Sequence, residues 1–475
     1  MIADERWQPA RLIPVSGLSS TDEQERRGVS ALLAVMQSVK EYGRAITQKL
    51  GAPAGSIETF IEVPFELNGV HYRPDGLIKI QRGNRTWTVL VEVKTGRDRL
   101  DEGQVTAYLE IAKVQGFDGV ITISNQLVTM SGLHPLSIDR RLTKKVALHH
   151  LSWSLLHSEA LIERTNQSVK DPDQAWILNE FIRYLEYPKS GAIDFDDMGP
   201  SWVQVREAAI NSTLRPNDSS THDVVDRFSQ LVRYVAMNLS SQLGVEVRRV
   251  LSKQDRANPT QFIQSMSDEL ATNGRLKGSI SVPNAVSPIF ITADLRAARL
   301  ACSVNLAAPI NSRPKTRVSW LLRQLKDSPS DLSIVANGPR VRDTGPSVRL
   351  DKALDNPDLL LPDVKFDVRT FTLTLSSPAG SKRGQGKGSF VGSVLELVNR
   401  YYENVVQDLR PWTPPAPKVV QINFTAELIP STVGAEIQVS TSGIISEVMV
   451  TEDHSDDSEL EFDTDLAELV GDSPD

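Results

Sequence analysis

The chain has 475 residues, 40% of them hydrophobic, with 52 Lys and Arg against 60 Asp and Glu for a formal net charge of −8. Cys302 is its one cysteine, which excludes an intramolecular disulfide and any thiolate-rich zinc centre. No run reaches the ~18 apolar residues of a membrane span, and Met1 to Arg6 form no apolar leader, so a cytoplasmic, non-membrane protein of two or three domains is expected.

In chain order, Ser20-Thr21-Asp22-Glu23 fits a capping box, with Ser20 as N-cap and Glu23 at N3. The helix it opens carries Val29, Leu32, Leu33 and Met36 at helical spacing and is expected to run to about residue 50, where Gly51-Ala52-Pro53 stops it. Strands are expected over 59–67, 70–80 and 86–94, with Asn68-Gly69 as a hairpin turn between the first two. A helix over 100–114, a buried strand over 120–124 and a strand over 145–153 complete an α/β unit. Residues 155–187 read as helical, and the Gly/Pro/Asp-rich stretch 188–200 as a connector. Next come a helix over 224–251 with Phe228, Leu231, Val232 and Val235 on one face, and three strands within 276–306, where Cys302 is core filler. A helix over 317–325, strands over 332–336 and 370–376, and a helix over 390–409 complete a second α/β domain. Four prolines in 411–417 make a linker, and 419–427 and 435–450 read as a possible hairpin pair. Eleven of the acids lie in 451–475 with no Lys or Arg, leaving 49 acids against 52 basic residues in the body. A disordered, solubilising acidic tail on a slightly basic body is the reading, a regulatory tail being the alternative, and such a body is compatible with binding a polyanion.

The chemistry concentrates in two segments. In Arg73-Pro74-Asp75-Gly76, the acid leads into Leu77, Ile78 and Ile80, which puts Asp75 near the middle of a strand. In Leu90-Val91-Glu92-Val93-Lys94, the run is apolar on both faces, the mark of a central strand, and Glu92 and Lys94 are two apart and share a face. Isolated charges in such a place are costly. Two acids there call for a cation, and hard oxygen ligands suit Mg²⁺ or Mn²⁺. Lys94 would orient a water and neutralise charge during phosphodiester hydrolysis.

Pro74-Asp75 followed by Glu92-Val93-Lys94 resembles the PD-(D/E)XK nuclease superfamily. Gln104-Val105-Thr106-Ala107-Tyr108 resembles the QxxxY element of its RecB-like members. The resemblance covers residues 20–154 and implies a restriction-endonuclease-like mixed sheet flanked by helices. It implies Asp75 and Glu92 as metal ligands and Lys94 as the catalytic lysine. Gln104 and Tyr108, at i and i+4 on one helix face, would lie beside the site. Members also often place an acid on the first helix, and Glu25, one turn before Val29, is the candidate for a further ligand.

The expected organisation is an N-terminal extension (1–19), a nuclease-like domain (20–160), a helical connector (161–205), a second α/β domain (206–410), a Pro-rich linker with the hairpin (411–450) and the acidic tail (451–475). The expected function is Mg²⁺- or Mn²⁺-dependent hydrolysis of nucleic acid, DNA first, in DNA processing or defence against foreign DNA. The second domain would contact substrate, a protein partner or a second copy. The alternative is a catalytically silent nucleic-acid-binding or scaffolding subunit that reuses the same fold.

Weaker signals lie elsewhere. Asp363-Val364-Lys365 repeats the D-x-K spacing among prolines and charges, with no QxxxY after it. His149-His150, at a strand end, lacks a third ligand and reads as structural. The Gly-rich stretch from Gly380 to Gly388 carries Lys382, Arg383 and Lys387 between a strand and a helix, where backbone amides could hold a phosphate, a mobile basic loop being the other reading. It is not a P-loop, because Ser381 and Gly388 stand where glycine and Ser/Thr are required. Arg313, Lys315, Arg317, Arg323 and Lys326 cluster around Trp320 and could track a phosphate backbone, a solvated helix face being the other reading.

Overall fold

A computed structural model describes residues 11–14 and 20–414, apart from 131, 167, 193–194, 311, 341 and 364–365. The expected hairpin over 419–450, the acidic tail and most of the second D-x-K copy lie outside the described residues.

The Ser20 hydroxyl accepts from the Glu23 amide at 3.3 Å and opens α1 (Thr21–Ser38). The single helix expected here is two. Val39 is extended at φ −100° and ψ 93°, and α2 (Lys40–Gln48) starts after it at a new angle. No proline or glycine marks the break. What permits it is Gly43: a β-carbon there would stand 2.1 Å from the Met36 carbonyl oxygen, so α2 can fold back on α1 only with glycine at that position. Gly43→Ala is expected to cost roughly 1–3 kcal/mol of stability, measured by urea unfolding, because the obstacle is backbone and not a movable side chain; a cost near zero would show that the helix pair adapts.

The strand region also divides more finely than expected. Residues 56–72 give β1 (Ser56–Ile61), β2 (Phe65–Leu67) and β3 (Val70–Tyr72), followed by β4 (Gly76–Arg82) and β5 (Arg85–Val93). Asn68 and Gly69, both at positive φ, do turn a hairpin, but it is the small β2–β3 pair. The main sheet takes β1 against β4 instead. After α3 (Glu102–Gln115) come β6 (Gly119–Ser124), β7 (Ala147–Ser152), α4 (Trp153–Thr165) and α5 (Pro172–Leu185). The sheet order is β1-β4-β5-β6-β7, antiparallel up to β5 and parallel from there. The chain is thus α/β, with a mixed sheet flanked by helices. Ile78, Val89, Val91 and Ile121 pack with α1, α2, α4 and α5; Leu77, Leu90 and Val120 pack with Val105 and Tyr108 of α3. Residues Leu178, Phe181 and Ile182 of the expected connector are buried in the first of these cores.

The remainder holds α6 (Trp202–Ile210), α7 (Ser219–Leu243), β8 (Arg248–Arg249), α8 (Lys253–Ala257), α9 (Pro259–Asn273), β9 (Arg275–Ser281), β10 (Ile289–Asp294), β11 (Arg299–Ala307), α10 (Pro314–Gln324), β12 (Ser333–Asn337), β13 (Val348–Arg349), α11 (Leu350–Asp355), β14 (Thr370–Pro378) and α12 (Phe390–Asn404). The helix expected over 224–251 ends at Leu243, because Gly244 adopts the left-handed conformation that caps it. The seven strands run β13-β12-β14-β11-β10-β9-β8 and pair antiparallel throughout. Strand alternation buries Leu300, Cys302, Val304 and Leu306 on one face, so Cys302 is core filler. The two cores meet where α4 lies along α7, with Ser158 Oγ donating to the Met237 carbonyl at 3.0 Å. Among the described residues, no helix is long and apolar enough to cross a membrane.

Candidate functional site

β4 and β5 pair with Gly76 opposite Val91. Carrying that register one residue further sets Asp75 opposite Glu92 at the end of the ladder. Asp75 therefore stands just before its strand, not in its middle, in the short Arg73-Pro74-Asp75 link between β3 and β4, where the proline cannot donate to a ladder. Asp75 Oδ2 accepts from the Val93 amide at 2.7 Å, and the Asp75 carbonyl accepts from the Glu62 amide at 3.1 Å. Both acids lie on the α3 side of the sheet, since they alternate in phase with Leu77 and Leu90.

Glu92 is only 1% exposed. Lys94 Nζ lies 3.1 Å from Glu92 Oε1 and 3.3 Å from Glu25 Oε2, the latter reaching over from α1 on the other face. Glu25 Oε1 also accepts from the Thr95 amide at 3.4 Å. The structure thus places Glu25 beside Lys94, with both its oxygens on Lys94 and Thr95 and not towards the acid pair.

The electrostatics follow from burial. Desolvation and the charge of Asp75 push Glu92 up to about 8. Asp75 and Glu25 are raised by burial as well, against the pull of Lys94. Burial alone would lower Lys94, but the carboxylates of Glu92 and Glu25 outweigh it and keep the ammonium charged. Both Glu92 carboxyl oxygens are buried, and the Lys94 ammonium, 3.1 Å from Oε1, is the donor group beside them, without a well-aligned hydrogen bond to either. A buried acid pair with carboxylate lone pairs to spare fits a hard cation. Asp75 and Glu92 would supply its two protein ligands, and Mg²⁺ is commonly held by one or two carboxylates with water or substrate phosphate completing its shell. Among the described residues, no three His, Cys, Asp or Glu side chains converge to enclose a metal by themselves.

Gln104 and Tyr108 stand on α3 above the pair. Gln104 Nε2 donates to Tyr108 Oη at 3.0 Å, and the Tyr72 ring meets the Tyr108 ring edge-on at 6.3 Å. Burial, and then the charge of Glu92, raise the Tyr108 phenol, so it stays protonated near the acids.

Sequence reasoning missed the next neighbours in the same row. Glu92 is in register with Thr122 on β6, and Thr122 with His150 on β7. Thr122 Oγ1 lies 2.8 Å from His134 Nε2 and 2.9 Å from His150 Nδ1. His134 Nδ1 accepts from the Leu136 amide at 3.0 Å, and His150 Nε2 faces the Gln126 carbonyl at 2.8 Å. Each imidazole nitrogen is thereby assigned. His134 donates to Thr122, Thr122 donates to His150, and His150 donates to Gln126. Both rings are neutral, held down at about 4 by burial. His149-His150 is therefore structural and lies inside β7, not at its end. His134, which completes the network, gave no signal because it sits in an irregular stretch between strands.

The expected phosphate contacts are mostly engaged elsewhere. Arg317 is corrected: it is buried, paired with Asp367 at 2.8 Å and bonded to the Val368 carbonyl, so its charge is directed into the fold. Around it, Lys315 pairs with Asp358 at 2.8 Å and Lys326 with Asp327 at 3.6 Å, while Arg323 is exposed. In the Gly-rich loop, Arg383 pairs with Asp197 at 3.0 Å, and the Ser381 carbonyl accepts from Trp202 Nε1 at 3.1 Å. That loop is docked on the segment before α6, with Lys382 and Lys387 exposed. None of these is among the contacts of Asp75, Glu92 and Lys94.

Comparison with known proteins finds no matching family model, no matching curated protein and no matching solved structure.

Proposed function

We propose that this chain is a metal-dependent nuclease of the PD-(D/E)XK type, built on a restriction-endonuclease-like domain, that hydrolyses phosphodiester bonds, with DNA as the first substrate to test. One observation carries the reading: two opposed carboxylates, one of them almost fully buried, with a charged lysine 3.1 Å from it, at the end of a central strand pair. Buried charge of this kind is weak support for stability and points to a functional centre. A divalent cation bound by Asp75 and Glu92 would polarise the phosphoryl group and acidify the attacking water. Lys94, kept protonated, can hold a water by its ammonium and offset charge as the phosphorus gains oxygen. Glu25 keeps Lys94 in place. Gln104 and Tyr108 present an amide and a phenol at the α3 edge, suited to a phosphate or sugar of the substrate.

The test is incubation of purified protein with linear, circular and single-stranded DNA and with RNA, in Mg²⁺, Mn²⁺ or EDTA; absence of cleavage from every substrate in both metals would reject the reading. Within it, Gln104→Ala is expected to reduce cleavage about tenfold or more while shifting Mg²⁺ affinity little, as followed by titration calorimetry. Equal losses in both would make Gln104 part of the metal site. The second reading, a catalytically silent nucleic-acid-binding or scaffolding subunit, is favoured by one observation: Lys94 lies between Glu92 and Glu25 and can neutralise them without a metal.

A further inference from the structure

Beside the acid pair, Glu62 stands between two arginines. Its Oε1 is 3.9 Å from Arg26 Nε and its Oε2 is 4.0 Å from Arg73 Nη1, so each carboxylate oxygen faces a different guanidinium. Both arginine side chains are open to solvent, at 73% and 66% exposure. Arg26 follows Glu25 on α1, and Arg73 precedes Pro74-Asp75, so both arise from the segments that carry the site acids. Glu62 itself is left-handed at φ 50°, an uncommon state for a residue with a side chain, and its amide is tied to the Asp75 carbonyl at 3.1 Å. Exposed ion pairs of this length contribute little to stability. At 3.9 and 4.0 Å neither is a hydrogen bond, and the fold gives no reason to gather two exposed guanidinium groups around a strained glutamate here.

We propose that Arg26 and Arg73 are a clamp for a backbone phosphate next to the scissile bond, and that Glu62 occupies the clamp until substrate displaces it. The proposal rests on the nuclease reading of the site. A diester phosphate has what the Glu62 carboxylate has: two equivalent oxygens and a single negative charge. Arginine is the side chain suited to both. Phe60, half exposed on β1 and in register with Leu77 on the α3 face, gives a ring on which an unpaired base can rest. Arg97 and Arg99 are exposed on the turn after Lys94.

The experiment is fluorescence anisotropy of labelled duplex and single-stranded DNA with the full chain in EDTA, across a salt titration, with cleavage measured in parallel in Mg²⁺. Arg26→Ala/Arg73→Ala is expected to bind about tenfold more weakly at low salt, with the log–log salt slope reduced by about one. In Mg²⁺ it should raise KM while sparing kcat. Glu62→Gln is expected to bind more tightly than wild type, a gain that misfolding cannot produce. Wild-type binding with unchanged affinity and salt slope in the double variant, or weaker binding by Glu62→Gln, would overturn the clamp and leave the nuclease reading standing. Neither binding nor cleavage by the wild type would overturn both.

Discussion

Lys94→Ala is expected to reduce metal-dependent cleavage of DNA by about a hundredfold or more while leaving the chain folded. The reason lies in what surrounds the ammonium. It sits 3.1 Å from a carboxylate that is 1% exposed and 3.3 Å from Glu25, and it is the cation present at the acid pair. Without it, the charge that develops on the phosphoryl oxygens loses its nearest fixed counter-charge. The fold tolerates the loss because Glu92, already raised to about 8 by burial and by Asp75, can take up a proton instead of standing as a bare buried charge. Asp75→Asn and Glu92→Gln should lose activity to a comparable degree, since groups that act as a unit fail together. The thermal midpoint of each variant checks the fold. Full activity in Lys94→Ala would remove the catalytic assignment, and collapse of the midpoint would make the site structural.

The second large effect is on stability as a function of pH. His134 and His150 are neutral in the folded chain at pH values where an unfolded histidine is charged, because burial holds both rings down at about 4. Arg233 adds positive charge near His150 and acts in the same direction. A depressed folded pKa makes the unfolded state bind the proton first. The stabilisation is therefore complete above about pH 6.5, the unfolded value, and is lost as pH falls towards 4. Discounting for the partial exposure of both rings, the pair should lose on the order of 2 kcal/mol between pH 7 and pH 5. Urea unfolding at the two pH values measures it. Because the carboxylates titrate over the same range, the decisive comparison is with His134→Gln/His150→Gln, which should lose most of that slope. An unchanged slope in the double variant would show that the histidines titrate freely in the native state.

Much of the centre was legible in the sequence, for reasons that are local. Glu92 and Lys94 are two apart in an apolar run, and strand parity alone puts them on one face. Gln104 and Tyr108 are four apart on a helix, so their meeting needs only helical periodicity, and Glu25, one turn from Val29, is put by the same periodicity on the buried face of α1. What escaped depends on distant partners. The break at Val39 is set by the close approach of Gly43 to Met36, which no propensity encodes. Asp75 was placed mid-strand because the strand-like stretch over 70–80 hid the link from Tyr72, where β3 ends, to Gly76, where β4 begins. Thr122 joins the site only through the parallel register of β6 with β5. Arg317 looked solvated because its partner Asp367 lies fifty residues away. The Gly-rich loop looked free because Asp197 and Trp202, which dock it, belong to a segment without local signal.

The proposed centre of Asp75, Glu92 and Lys94 would hydrolyse nucleic acid with a bound divalent cation. It is tested by a time course of labelled linear duplex DNA with the wild-type chain in Mg²⁺, after addition of EDTA, and after excess Mg²⁺ is restored. Cleavage is expected to stop with EDTA and to resume with Mg²⁺. Cleavage that continues undiminished in EDTA would contradict the metal, and no cleavage in Mg²⁺ before or after would contradict the centre.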